Sequence, residues 1–276
     1  LACIFLNVIS YVLTYNSIYM FIHPQIDPIA ISIGPLKVHW YGLMYFFGFL
    51  SFIYLGKKQI VTKPWFNLNE KMLDDTFFYG ALGVILGGRL GYVLFYQPVY
   101  YITHPDEIFA FWHGGMSFHG GLIGVLIGIY WATRKYKANW LHTMDFIAPL
   151  VPLGLFFGRI GNFINQELWG RPTELFWGMI FPSIDDTLRH PSQLYEAFFE
   201  GIVLFLILWI FSSKERATGQ ISALFLILYG FFRFCIEFTR APDSFLGYVF
   251  FDLTMGQLLS IPMVLVGLWI FNRSKA

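Results

Sequence analysis

Apolar residues run in seven long stretches almost free of charge, near Trp40 to Leu55, Met72 to Tyr96, Ser117 to Thr133, Met144 to Ile164, Ser192 to Phe211, Ile221 to Phe238 and Leu253 to Phe271. A hydrocarbon core roughly 30 Å thick is crossed by a helix of about 20 such residues. The pattern therefore predicts an all-α integral membrane protein with about seven transmembrane helices. The connections 97–116 and 165–190 are rich in Gly, Pro, Trp and polar residues, which suits small segments packed on protein at one membrane face. Residues 1–19 are also apolar, but the chain starts with Leu1 rather than Met, and a polar stretch from His23 to Pro28 follows Met20. The expectation is a natural start at Met20, with 1–19 as an extension and 20–276 as a single membrane domain.

Placement of charge gives the helices a direction. Eleven of the 18 basic residues fall in alternate connections: Lys57, Lys58, Lys63 and Lys71; Arg134, Lys135 and Lys137; Lys214 and Arg216; Arg273 and Lys275. By the positive-inside rule these connections are cytoplasmic, so the N-terminal side of the first helix lies outside and the C-terminus inside. The segment near 165–190 then becomes a small outer-side head.

Composition agrees with the pattern. Hydrophobic residues make up 57% and charged ones only 13%, where a soluble domain carries about 25% charged. A net charge of +1 supplies no basic field for nucleic acid. Cys3 and Cys235 are far apart in apolar runs, neither a disulfide framework nor a zinc spacing.

Arg89, Arg159 and Arg233 interrupt apolar runs. Each costs on the order of 2.5–3.5 kcal/mol at the centre of a span, so each needs a partner or a function. Pairing inside the bundle and a functional role weigh evenly for Arg89. For Arg159 and Arg233 the neighbours favour function. Arg159 shares a helical face with Asn162 and leads into polar residues up to Arg171, and a planar guanidinium grips a phosphate with two parallel hydrogen bonds. Tyr229, Arg233, Glu237 and Arg240 are spaced 4, 4 and 3, one stripe down a helix face. An anionic lipid headgroup is the expected ligand, although a structural Arg–Glu pair has the same spacing.

Two further clusters carry candidate chemistry. His119 sits between glycine pairs in Gly114-Gly115-Met116-Ser117-Phe118-His119-Gly120-Gly121, open enough to accept a proton, though a helix-capping or interfacial histidine reads the same way. His113 and His119 lack a zincin spacing and an adjacent acid, so no metal is expected. His39-Trp40-Tyr41-Gly42 opens the first helix as interfacial aromatics or as cavity wall.

Together with Gly87-Gly88-Arg89-Leu90-Gly91-Tyr92, the run Gly158 to Gly170 and Arg189-His190-Pro191-Ser192-Gln193-Leu194-Tyr195-Glu196, these motifs resemble, in order and spacing from Ile26 to about Trp269, the bacterial prolipoprotein diacylglyceryl transferase family. His113 stands where that family commonly has an acidic residue, and the stretch Thr173 to Leu188 is shorter than in its longer members. The resemblance implies a multi-pass protein of the bacterial inner membrane. It would transfer the diacylglyceryl group of phosphatidylglycerol to the lipobox cysteine thiol of prolipoprotein signal peptides and release glycerol phosphate, with no cofactor. It further implies His119, Arg159 and Arg233 as catalytic. Tyr41, Asn162, Glu167, Gly170, Tyr229, Glu237 and Arg240 would bind or brace the headgroup.

The rival reading is an anionic lipid transporter or flippase, which predicts repeated halves with broken helices; no such repeat is visible. An alcohol phosphatidyltransferase would need aspartates clustered for a divalent metal, and Asp74-Asp75 and Asp185-Asp186 do not make that pattern.

Overall fold

The computed structural model describes residues 21–110, 114–242, 247, 249 and 252–274. The expectations about residues 1–19 and Met20, and the residues Cys3, Trp112, His113 and Lys275, lie outside that set. All seven apolar stretches are helical. They form α1 (Trp40–Thr62), α2 (Glu70–Phe95), a short α3 (Pro98–Thr103), α4 (Phe118–Lys135), α5 (Trp140–Ile147) running through a 3-10 turn into α6 (Val151–Ile164), α7 (Ser192–Glu196) running through a π turn at Ala197–Val203 into α8 (Leu204–Phe211), α9 (Gln220–Ile236) and α10 (Met255–Arg273). Four of them, Glu70–Phe95, Trp140–Ile164, Ser192–Phe211 and Met255–Arg273, are long and apolar enough to cross a bilayer, and α9 is a shorter apolar helix.

Local sequence sets several helix starts. Asn69 accepts from the Met72 amide at 2.9 Å, Asn139 from that of His142 at 3.1 Å, and Ser117 from that of Gly120 at 3.2 Å, each satisfying an amide the first turn leaves over. Thr254 and Gln257 form a reciprocal capping box at α10. α9 starts at a glycine and takes its cap from another helix: Asp145 accepts from the Gly219 and Ser222 amides and from the Ser222 hydroxyl at 2.7 Å.

The helices run past the expected boundaries at their basic ends. Lys57 and Lys58 lie within α1 rather than after it, and Arg134 and Lys135 form the last turn of α4. Lys57 pairs with Glu70 at 2.9 Å, and Lys135 with Asp75 at 2.6 Å. At the end of α4 unpaired carbonyls favour the cations, and the long stems of all four residues reach the polar interface.

Beyond α1, Lys63 folds inward to Ser212 Oγ at 2.7 Å and Gln59 Oε1 at 3.2 Å, beside the Trp209 ring. Burial lowers its ammonium to about 8 from the usual 10.5. The folded protein therefore binds fewer protons than the unfolded chain between those values, and stability should rise as pH climbs from about 8 to 10. Thermal midpoints of the detergent-solubilised protein over that range would check this, and Lys63→Met should flatten the rise.

Neighbouring helices pack antiparallel. Along α2 and α4, added Cβ atoms at Gly83, Gly87, Gly120, Gly124 and Gly128 would collide with facing backbone carbonyls, so the two backbones touch along a glycine seam. A Cβ on Gly161 of α6 would meet the Tyr41 ring of α1 at 2.8 Å, while Gly48 faces Gly154 further along. Gly56 of α1 faces Leu73 of α2, and Gly230 of α9 faces Val264 of α10. These registers bring the start of α1, the end of α2, the start of α4 and the end of α6 to one end of the bundle.

Short strands cover that end, which apolar periodicity alone does not predict. β1 (Phe21–Ile22) pairs parallel with β4 (Met179–Ile180), which pairs antiparallel with β5 (Leu188–Arg189). β2 (Ile29–Ile33) and β3 (Leu36–His39) form a hairpin leading into α1. His23, buried, reaches the Phe163 carbonyl at 2.9 Å and ties the small sheet to the end of α6. In the same segment Arg189 holds Asp185 in an ion pair at 2.5 Å.

Candidate functional site

Three arginines converge on one buried carboxylate. Glu196, at the end of α7 and fully buried, lies 2.5 Å from Arg159 Nε of α6, 3.0 Å from Arg233 Nη1 of α9 and 3.4 Å from Arg240 Nη1 just past α9. Arg233 Nη2 also pairs with Glu237 at 2.7 Å, one turn along its own helix. Glu200, on the π turn and fully buried, stands 3.8 Å from both Arg159 Nη2 and Arg233 Nη1. Three guanidinium groups thus face three carboxylates. The expected arginines do not wait bare for a phosphate; protein carboxylates already meet them.

That satisfaction is incomplete. Arg159 Nη1 and Arg233 Nε have no partner among the described residues, and the two side chains keep 18% and 14% of their accessible surface. One edge of each guanidinium remains available. The Tyr229 hydroxyl shares the electrostatic environment of Glu200, Arg233 and Arg159. Glu237 lies against the first turn of α10, where a Cβ on Gly256 would meet its carboxylate carbon at 2.8 Å, so the amide-rich helix start favours its charge.

A polar loop runs beside this cluster. Asn162 donates to Glu167 Oε2 at 3.1 Å, and Asn165 donates to Oε1 at 3.2 Å. Tyr41 lies over Gly161 with Asn162 and Glu167 as polar neighbours. Asn162 therefore meets Glu167 and Tyr41, while the carboxylate against Arg159 is Glu196. Gln166 and Leu168 hold φ values of 55° and 56°, left-handed conformations that cost non-glycine residues about 1–3 kcal/mol each. Gln193 Nε2 and Ser192 Oγ hold the strained turn by donating to the Glu167 and Leu168 carbonyls at 2.6 and 3.0 Å.

Gly170 joins the loop to the cluster. Its amide donates to the His190 carbonyl at 3.0 Å, it bridges to Arg240, and Arg171 Nε donates to the Arg240 carbonyl at 2.8 Å. A Cβ here would lie 2.6 Å from His190 Cβ and 2.7 Å from the Thr239 carbonyl oxygen. Gly170→Ala should thus pry the 167–171 loop from 237–241, costing about 1–3 kcal/mol and most of the activity. A thermal midpoint measured with the initial rate checks both effects.

His119 occupies the first turn of α4 with its side chain exposed, at the same end of the bundle as Tyr41 and Arg159. No hydrogen bond or ion pair among the described residues joins it to the arginine cluster. Arg89 is satisfied inside the bundle, by carbonyls rather than by an ion pair. Among the described residues its guanidinium has no carboxylate partner; it donates to the carbonyls of Ile108 at 2.8 Å, Gly114 at 2.5 Å and Glu107 at 2.7 Å. It braces the loop that leads into His119.

Spacing analysis assigns no role to Glu196 and Glu200. The signal was present: two acids four apart in the otherwise apolar run Ser192 to Phe211 carry the same insertion cost as the arginines.

Comparison with known proteins adds names to this geometry. A family model described as prolipoprotein diacylglyceryl transferase matches residues 28–273. A phosphatidylglycerol–prolipoprotein diacylglyceryl transferase of Methylobacillus flagellatus is 58% identical over 254 residues, covering 91% of this chain and 97% of the relative. Proteins of the same name from Nitrosomonas europaea and Cupriavidus pinatubonensis are 59% and 55% identical, covering 90% and 92% of this chain and 90% and 95% of the relatives.

Proposed function

The chain belongs to the prolipoprotein diacylglyceryl transferase family, and from that premise we infer that it moves the diacylglyceryl group of phosphatidylglycerol onto the lipobox cysteine of prolipoprotein signal peptides, forming a thioether and releasing glycerol phosphate. The observation that carries the reading is the convergence of Arg159, Arg233 and Arg240 on Glu196 at one end of an apolar bundle.

In the proposed reaction the cysteine thiolate attacks the glyceryl carbon that bears the phosphate. The carbon–oxygen bond breaks, its electron pair stays with the phosphate oxygen, and charge grows on the leaving group. The free edges of Arg159 and Arg233 stabilise that charge, and Glu196 holds both planes in place before the lipid arrives. Only interactions stronger in the transition state than in the bound lipid raise the rate, and these arginines face the atom whose charge changes most. A cysteine thiol with a pKa near 8.5 is mostly protonated at neutral pH, so a proton acceptor helps form the nucleophile. His119 is assigned that role. Tyr41, Asn162 and Glu167 orient the glycerol headgroup; Gly170, Tyr229, Glu237 and Arg240 position the arginines.

The protein is read as one transmembrane catalytic unit of seven spans in a bacterial inner membrane. The start of α1 and the head near 165–190 lie outside and the C-terminus in the cytoplasm. The alternate clustering of basic connections supports that orientation.

The test combines purified protein, phosphatidylglycerol vesicles and a lipobox peptide in EDTA. A diacylglyceryl mass gain on the peptide cysteine is expected. An unmodified peptide with lipid crossing the bilayer would favour the flippase reading instead.

A further inference from the structure

Among the charged groups of the cluster, Glu200 is the one not spent on holding the others. Glu196 binds three arginines and Glu237 closes on Arg233, but neither Glu200 oxygen accepts a hydrogen bond from the described residues. It is fully buried, and its two oxygens face Arg159 and Arg233 separately, each at 3.8 Å. Burying a carboxylate without hydrogen bonds is costly, so its retention calls for a use other than scaffolding. The backbone around it is unusual too. Glu200 sits on the π turn Ala197–Val203, where Gly201 lets Phe156 of α6 come close; a Cβ there would lie 2.6 Å from Phe156 Cβ. Such widened turns are rare and gather at functional sites.

The reaction proposed above has an electrostatic difficulty. Its lipid substrate is a phosphodiester with a single negative charge, whereas the product is a phosphomonoester with a charge of roughly −1.5 to −2 at pH 7. The two arginines that hold the substrate would hold the product more tightly. We propose that Glu200 is a positioning residue for product release: its carboxylate, set between Arg159 and Arg233, offsets their pull so that glycerol phosphate leaves once the carbon–oxygen bond has broken. The inference rests on the transferase reading. Glu196 and Arg240 complete Glu200's charged surroundings, with the Tyr229 hydroxyl as a polar neighbour.

The test is inhibition of peptide lipidation by glycerol phosphate and, separately, by its methyl diester. In Glu200→Gln the monoester should inhibit at roughly ten-fold lower concentration, and the diester should tighten distinctly less, because the lost charge weighs more on the more highly charged ligand. kcat should fall together with KM for phosphatidylglycerol. A merely structural defect would weaken both inhibitors alike and raise KM. Glu200→Asp, with its charge drawn back from the arginines, should shift the ratio the same way by less. An unchanged monoester-to-diester ratio in either folded variant, or failure of both variants to accumulate, overturns the proposal. Absence of transfer by the unaltered protein would instead overturn the transferase reading.

Discussion

Arg233→Ala should reduce transfer at least about 100-fold, the scale of losing one preorganised charge-stabilising donor, and should lower stability by about 3–5 kcal/mol as well. The second effect arises because Arg233 is shared. Its removal takes one guanidinium from Glu196 at 3.0 Å and from Glu237 at 2.7 Å, and leaves Glu200 with Arg159 at 3.8 Å and the more distant Arg240. Arg233→Lys keeps the charge but cannot span two carboxylates and still present a flat edge to a phosphate, so it should restore more stability than rate. Parallel measurement of thermal midpoint and of kcat separates the two. Full activity in Arg233→Ala would remove the arginine from the mechanism.

Gly124→Ala should lower the thermal midpoint by roughly 5–10 °C, while Gly154→Ala should leave it unchanged or raise it. Both replacements give a helix a better helix former, which alone favours alanine by about 0.8–1 kcal/mol. They differ in what the new methyl meets. At Gly124 it strikes the Gly83 carbonyl across the seam, and backbone cannot swing aside as a side chain can. At Gly154 there is nothing within 4 Å. Equal midpoints for the two variants would show that α2 and α4 do not touch there.

What the sequence made legible follows from where a single physical rule dominates. Exclusion of charge from hydrocarbon marked out seven apolar stretches that are helical among the described residues, and the cost of violating that exclusion pointed to Arg159 and Arg233 as related residues. The same cost applies to Glu196 and Glu200, but a spacing of four inside one apolar run does not name partners on other helices. Arg89 showed a different limit. Carbonyls of a distant loop satisfy it, and no side-chain pattern announces a carbonyl cage. The hairpin Ile29–His39 escaped because its apolar residues read as the approach to a helix. The π turn escaped because Ala197–Val203 has the composition of any apolar helix. Helical spacing from Arg159 singled out Asn162 and the motif opening the first helix singled out Tyr41, and the close approach at Gly161 explains why the two meet.

The seam between α2 and α4 also constrains traffic. Where carbonyls press on α-carbons, no acyl tail can slip from the bilayer between those two rods, so any lateral doorway for a two-tailed lipid must open along some other pair of helices. That stretch of the bundle wall is in this sense welded shut, and the glycine contacts Gly230–Val264 and Gly267–Ala223 narrow the gap between α9 and α10 as well.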